Sequence, residues 1–520
     1  MRTTKISTRK LHKKADSNPA TLMDMLTRLN LTDSQKTEFL SPVRRSDKRY
    51  VTSESNLDTK IDPRIFRETQ VKRLFRWLAN KPPVAKIFFN WLFVKTFKMK
   101  LDYFSENEDK KPDTIFKDKT SDEHKIEERV TDDFKIHNLG HATQLIQTEG
   151  MNILTDPVFG NLAPIVYPSM TKSFKKDIRP NELPPIDVIL ISHNHRDHVD
   201  EKSLKDIIKK GHQPTLLVPM GDAAYFKGLG FKTVQEFEWH EEVTLRSPTT
   251  NNQITICNVP ADHRSGRKGY DSHKSLVSGW VISPKSRKEI VYFAGDTARL
   301  NDTRILSLAL DVYSLYQHKK IDLAALPQII NMNPGGPNYT RKDMRPTHQS
   351  AMDSLTSAFR LALALEEISR KDNQPISAEK WLKATATVFM HHNRFELGPD
   401  RFNENMFIYN RVCSYLKMDD DEFARHHRKQ SDKDANWSLF KRRKTFITRG
   451  VSELRYLASS IWHEASPSEI NDKLLSFIQS RTHFPLINEK LTAQQFFQFG
   501  NGISSMIKPE TTKGHKPKLR

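Results

Sequence analysis

Cysteine is almost missing from this chain. Cys257 and Cys413 are the only two in 520 residues, so no disulfide framework can staple the fold, which has to rest on a packed core and suits a reducing compartment. Glycine is sparse as well, 18 residues against 27 prolines, which excludes collagen-like and glycine-rich repetitive architectures. Long apolar runs are absent: the most hydrophobic stretch, 84–94 (VAKIFFNWLFV), is interrupted by Lys86 and Asn90 and falls far short of the ~20 residues that span a bilayer as a helix. The first thirty residues are basic but carry neither an apolar segment nor a small-residue cleavage site, so neither a conventional signal peptide nor a transmembrane helix is expected. The chain is read as cytoplasmic, with at most a peripheral hold on a membrane. Acidic residues are outnumbered, 63 against 83 Lys and Arg, and the net charge of +20 favours phosphate-bearing surfaces.

Four stretches differ in texture. Residues 1–62 are polar and charged without a sustained apolar period, and read as a basic, largely disordered arm. Residues 63–130 interleave basic side chains with Phe66, Phe75, Trp77, Phe88, Trp91 and Phe97, an amphipathic helical pattern suited to a lipid headgroup interface or to packing on the main domain. Residues 131–415 carry short β-like runs (FKIHNL, MNILTD, DVILIS, ITICNV, EIVYFAG, ATVFM) alternating with turns and helical patterns, the mark of one α/β domain. Within it, residues 332–380 are expected to hold a loop and a helix opening near Thr347 or Ser350. Residues 416–520 read as a helical extension, with capping boxes at Ser466/Glu469 and Thr492/Gln495.

The chemistry is concentrated in one run. The apolar strand VILIS delivers His193-Asn-His195-Arg196-Asp197-His198 into a loop. Zinc takes imidazole nitrogen and carboxylate oxygen, and a rigid strand end fixes several ligands at once. Three histidines and an aspartate on so short a loop cannot all reach one tetrahedral ion, so the spacing predicts two adjacent metals with further ligands from elsewhere. Candidates stand where other strands stop: His263 after ITICNVPAD, Asp296 after EIVYFAG and His391 after ATVFM, with His391 preferred to His392 because it follows the strand directly. Any one alone reads as an ordinary polar loop residue. Behind the HxHxDH run they read as a set.

Together with Asp156 of LTDP, this series resembles the five-part signature of the metallo-β-lactamase fold, an αββα sandwich with two metals at one sheet edge. HNLGHAT (137–143), NILTDPVF (152–159), LPPIDVILISHNHRDHVD (183–200), DHRSGRKGYDSHKSLVSGWVI (262–282) and VYFAGDTA (291–298) narrow it to the N-acyl-phosphatidylethanolamine-hydrolysing phospholipase D family over about 134–400. The resemblance implies two zinc ions: one on His193, His195 and His263, one on Asp197, His198 and His391, with Asp296 bridging and Asp156 and His141 in support. The family commonly has Tyr where this chain has Arg196. It also has a histidine before a helix start, in a role near the substrate phosphate; here Arg345 stands at that spacing and His348 three residues later.

The implied reaction is hydrolysis of a glycerophospholipid to N-acylethanolamine and phosphatidic acid by a hydroxide between the metals. Asp197 and His348 are the candidate proton carriers, and Arg196, Arg267 and Arg345 the candidate phosphodiester ligands. The expected partners are a phospholipid substrate and a membrane surface, with the C-terminal extension open to a protein partner and a homodimer compatible with the sequence. Nucleic acid is not expected, because no distinct nuclease module is present. The alternatives are a metallo-hydrolase of a soluble lactone or phosphodiester, a nuclease, and a non-enzymatic membrane-recruited module with a relic site.

Overall fold

A computed structural model describes residues 7–10, 43–44, 50–51, 126–160, 179–267, 271–321, 326–334, 348–391, 404–419, 421–425, 439–485 and 489–498. In chain order the strands are β1 (Ser7–Lys10), β2 (Val43–Arg44), β3 (Tyr50–Val51), β4 (Phe134–Asn138), β5 (Gln144–Thr148), β6 (Met151–Thr155), β7 (Val188–Leu190), β8 (Thr215–Pro219), β9 (Val234–Phe237), β10 (Glu241–Arg246), β11 (Gln253–Pro260), β12 (Ser278–Pro284), β13 (Glu289–Phe293), β14 (Gln328–Pro334), β15 (Thr385–Met390), β16 (Thr482–His483) and β17 (Glu489–Thr492). The helices are α1 (Glu201–Lys209), α2 (Ala223–Gly228), α3 (Asp302–Gln317), α4 (Ala351–Lys371), α5 (Ala378–Lys383), α6 (Glu404–Leu416), α7 (Leu439–Ile461), α8 (Pro467–Arg481) and α9 (Ala493–Gln498).

Two sheets form the centre. One runs β17-β4-β5-β6-β7-β8-β9 and the other β1-β10-β11-β12-β13-β14-β15-β16. Alternation along the first sheet divides its side chains between two cores, as the period of two requires. Ile146, Ile153, Val188, Leu190 and Leu217 join the core shared with the second sheet, whereas Leu145, Leu154, Ile189, Leu216 and Val218 pack with Leu204 and Ile207 of α1 and Phe226 of α2. The second sheet is covered on its far side by α3 and α4, whose Leu308, Val312, Leu355 and Phe359 belong to the larger core. This is the αββα sandwich.

Helix starts follow local chemistry. Asp200 caps α1 by accepting from the backbone of Lys202 and Ser203, and Ser350 opens α4 in a reciprocal box with Asp353. Ser466 does the same for α8 with Glu469, and Thr492 and Gln495 exchange backbone contacts ahead of α9. Such caps satisfy amides that the first turn leaves open.

Two findings bear on the terminal stretches. In the region read as a basic arm, β1 lies antiparallel to β10 at a sheet edge and β2 pairs with β3; residues 63–125 of the aromatic, basic segment lie outside the described residues. The stretch after 416, read as a helical extension, supplies α7, α8 and α9 and also β16 and β17, which pair with β15 and β4 and so extend both sheets. A chain ended after Arg481 leaves β4 and β15 as bare edges. Its melting temperature is expected to fall by more than about 5 °C, as thermal denaturation followed by circular dichroism would show.

Candidate metal centre

Direction of the strands decides where the chemistry collects. β6 and β7 run parallel, β5 returns antiparallel to β6, and the 139–143 turn therefore lies at the carboxyl end of β6 and β7. In the other sheet β12 is antiparallel to both β11 and β13, while β13, β14 and β15 are parallel, so the carboxyl ends of β11, β13 and β15 share an edge. His141, Asp156, the 193–198 loop, His263, Asp296 and His391 all follow these ends.

Hydrogen bonds to main-chain carbonyls draw the two edges together. Ser278 donates its N–H to the Ser192 carbonyl (3.0 Å), Trp280 Nε1 donates to the Ile191 carbonyl (2.9 Å), and His391 N–H donates to the His141 carbonyl (2.9 Å). His141 and His391 both hold positive φ, 55° and 62°, a conformation that side-chain-bearing residues adopt only where the surroundings fix it.

The ligand atoms fall into two groups. His193 Nε2 and His263 Nε2 stand 2.9 and 3.1 Å from His195 Nδ1. On the other side His391 Nε2 lies 3.0 Å from His198 Nε2 and 3.3 Å from Asp197 Oδ2. Asp296 sits between them: its Oδ1 is 3.1 Å from His391 Nε2, and its Oδ2 is 3.3 Å from His198 Nε2 and 3.7 Å from His263 Nε2. The ligand atoms in each of the sets His193/His195/His263, His193/His198/Asp296 and His141/Asp197/His198/His391 lie within 4.8 Å of one another.

The donor set fits divalent cations. Three imidazole nitrogens that face one another cannot all be satisfied by mutual hydrogen bonding, and imidazole with carboxylate is the ligand chemistry of zinc and its neighbours. Burial favours neutral imidazole in the first group: it holds His193 well below its ordinary range and pushes His195 down to about 4, with the charges of His198 and Arg264 adding to the second. Asp296 is also buried and Asp197 part-buried, yet the facing imidazoles keep both carboxyls well below the usual carboxylate range.

Support comes from Asp156, at φ 33°. Its Oδ1 accepts from Ser192 N–H (2.7 Å), and its Oδ2 accepts from Ser192 Oγ (2.6 Å) and faces His198 Nδ1 at 2.7 Å. That fixes the His198 ring with Nε2 toward the centre. His141, read from the sequence as support, brings Nε2 to 3.2 Å from Asp197 Oδ2.

The second-line candidates separate. His348 reaches the centre, with Nε2 3.3 Å from Asp296 Oδ2. Arg196 is exposed beside the ligand loop. Arg267, read from the sequence as a phosphodiester ligand, donates from its guanidinium to carbonyls of the 194–199 loop. Arg345 and His392 lie outside the described residues. Sequence reasoning passed over Arg264, exposed next to His263, and Ser192; the available signals were adjacency to His263 and the position directly before His193.

Residues 151–333 match the β-lactamase superfamily domain. Over that stretch the chain is similar to the metallo-β-lactamase superfamily. It is 34% identical over 166 residues to the N-acyl-phosphatidylethanolamine-hydrolyzing phospholipase D 1 of Caenorhabditis elegans, a match covering 31% of this chain and 45% of that protein. It is 33% identical over 181 residues to the mitochondrial N-acyl-phosphatidylethanolamine-hydrolyzing phospholipase D of Saccharomyces cerevisiae, covering 34% and 37%. These relatives place it beside the family that its motifs resemble, although the chain spans less than half of their length. The solved structure of Igni18, a metallo hydrolase from Ignicoccus hospitalis, aligns at 19% identity and a TM-score of 0.35 over 53% of this chain and 89% of that one, a likeness too loose to carry an argument. Among the described residues no helix is long and apolar enough to cross a membrane.

Two substitutions test the centre. Asp156→Asn removes the charge behind His198, and metal affinity is expected to fall about 10–100-fold in competition against a chelator. Gly295 has φ 59°, and a Cβ there would lie 2.4 Å from Ser192 Cβ. Gly295→Ala is therefore expected to displace Asp296, lowering both the melting temperature and the metal content of the purified protein.

Proposed function

We propose that this protein is a two-zinc phosphodiesterase that hydrolyses N-acyl-phosphatidylethanolamine, or a closely similar phospholipid, at a membrane surface. His193, His195 and His263 would hold one ion, Asp197, His198 and His391 the other, and Asp296 would serve both. Bound there, divalent ions supply Lewis acidity toward phosphoryl oxygens and bring the pKa of a water toward neutrality.

The remaining work falls to the chain's own side chains. Asp197, whose Oδ2 faces His141 Nε2 at 3.2 Å and whose side chain is part-exposed, is placed to take a proton from the attacking water. His348, part-buried and 3.3 Å from Asp296, stands at the edge of the centre, where it can return a proton to the departing ethanolamide oxygen. Arg196 and Arg264, exposed and next in sequence to His195 and His263, can pair with the phosphodiester anion. The convergence of seven imidazoles and carboxylates from two sheets carries the hydrolase reading. The two phospholipase relatives and the excess of basic residues favour a phospholipid over a soluble ester.

The test is metal content measured together with N-acylethanolamine release from vesicles containing N-acyl-phosphatidylethanolamine. Release that requires about two zinc ions per chain and drops at least a hundredfold in both His195→Ala and Asp296→Asn is the expected outcome. Two bound zinc ions with no lipid turnover would redirect the search to soluble phosphodiesters and lactones. A chain that binds no zinc would end the two-zinc reading.

A further inference from the structure

Arg267 reads from the sequence as a grip for phosphate, yet its guanidinium is turned inward. Nη1 donates to the carbonyl oxygens of Val199 (2.9 Å) and Asn194 (3.1 Å), with that of His195 at 3.5 Å. One side chain thus spans the HxHxDH loop from near its start to just past its end. The group is secured in turn: Nη2 faces Glu201 Oε1 at 3.5 Å, the ring centroid of Tyr225 lies 5.2 Å away, and Tyr225 Oη donates to the same Glu201 oxygen at 2.8 Å. The side chain is only 8% exposed.

Asn194 makes a second tie beside it. Its Nδ2 donates to Asp222 Oδ1 and to Ser275 Oγ, both at 2.9 Å, and its Oδ1 accepts from Gly266 N–H at 2.6 Å. Both residues therefore join the loop that carries His193, His195, Asp197 and His198 to the 263–275 segment that carries His263. These two pieces arrive from opposite sheets. The three nitrogens of the first group can share one ion only if the pieces hold their relative position within a fraction of an ångström.

We infer that Arg267 is a positioning residue: by fixing the HxHxDH loop against the His263 segment it sets the affinity of the first metal position, and it does not meet the substrate phosphate. This rests on the two-zinc reading above. Arginine suits the task because its planar fork reaches several carbonyls at once and keeps its charge when desolvated, whereas a lysine offers one compact point donor. The contact with phosphate is left to Arg264, three residues earlier and exposed.

The test uses the full chain and zinc alone as the probe, by competition against a chromophoric chelator, with steady-state kinetics on the lipid alongside. Arg267→Met is expected to weaken one of the two zinc equivalents at least tenfold and to lower kcat with little change in KM, with Arg267→Lys recovering only part of the affinity. Arg264→Ala is expected to keep both zinc affinities and to raise KM. Arg267→Met with both affinities intact and a raised KM would overturn the inference and restore Arg267 as a substrate ligand. Should Arg267→Met fail to fold by circular dichroism, the Glu201→Gln and Tyr225→Phe pair loosens the guanidinium without removing it. Zinc binding weakened severalfold in that pair supports the inference, and unchanged binding overturns it. The two readings fail separately: a wild-type chain without zinc sinks the two-zinc reading itself, while two zinc ions bound equally by wild type and Arg267→Met sink only the role of Arg267.

Discussion

His198 is wholly buried, and burial works against its proton. The carboxylates of Asp296, Asp197 and Asp156 outweigh that penalty and hold the imidazole well above its ordinary range. His391 shares this environment and is raised for the same reason, against its own burial, by Asp296 and Asp197. Across Asp296 the balance reverses: His193 and His195 face mostly other imidazoles, and burial drives their protons off. The centre is thus divided into a half already compensated by carboxylates and a half of converging neutral lone pairs. Ligands must be unprotonated to bind a cation, so in such a site metal uptake and proton release go together. Asp156 is the pivot, because it faces His198 Nδ1 and leaves Nε2 as the atom directed to the centre.

Holding so many like groups together requires backbone that does not relax. Asp156, His141 and His391 keep positive φ, a conformation that costs on the order of 1 kcal/mol or more for each residue with a side chain. Each is pinned by partners across the sandwich: Asp156 through Ser192, and His141 and His391 through the hydrogen bond between their own main chains. Gly295 belongs to the same constraint. It lets the turn after β13 approach Ser192 more closely than any Cβ would allow, and so places Asp296 between the two histidine groups.

The ligand loop was legible because two independent signals coincide there, a short apolar strand and a ligand spacing that nothing structural demands. His263, Asp296 and His391 were legible for a weaker reason, their places after β-like runs. The strands β16 and β17 were not. Thr482–His483 and Glu489–Thr492 are too short and too polar to show a period, and they become strands because β15 and β4 offer unpaired edges. The arginines show another limit. Arg264 and Arg267 flank one Ser-Gly pair, and no local pattern tells which is exposed and which is turned under the loop; that follows from Gly266, whose φ of 142° redirects the chain between them.

Burial also separates this centre from a second constellation that looks catalytic on paper. Ser307 Oγ lies 3.1 Å from His240 Nε2, and His240 Nδ1 lies 2.8 Å from Asp311 Oδ2, the order of groups in a serine hydrolase. Yet Ser307, His240 and Asp311 are 0, 2 and 3% exposed, and Arg304 stacks 4.3 Å from the ring of the equally buried Trp239 nearby in the chain. No ester can approach a hydroxyl sealed in this way. The three groups instead satisfy one another's polar atoms where α3 crosses the turn between β9 and β10, which a buried polar network must do to be tolerated. In the candidate metal centre Asp197 and His348 keep part of their side chains exposed, 16 and 13%, and that opening leaves one cluster within reach of a ligand while the other is a fastening of the fold.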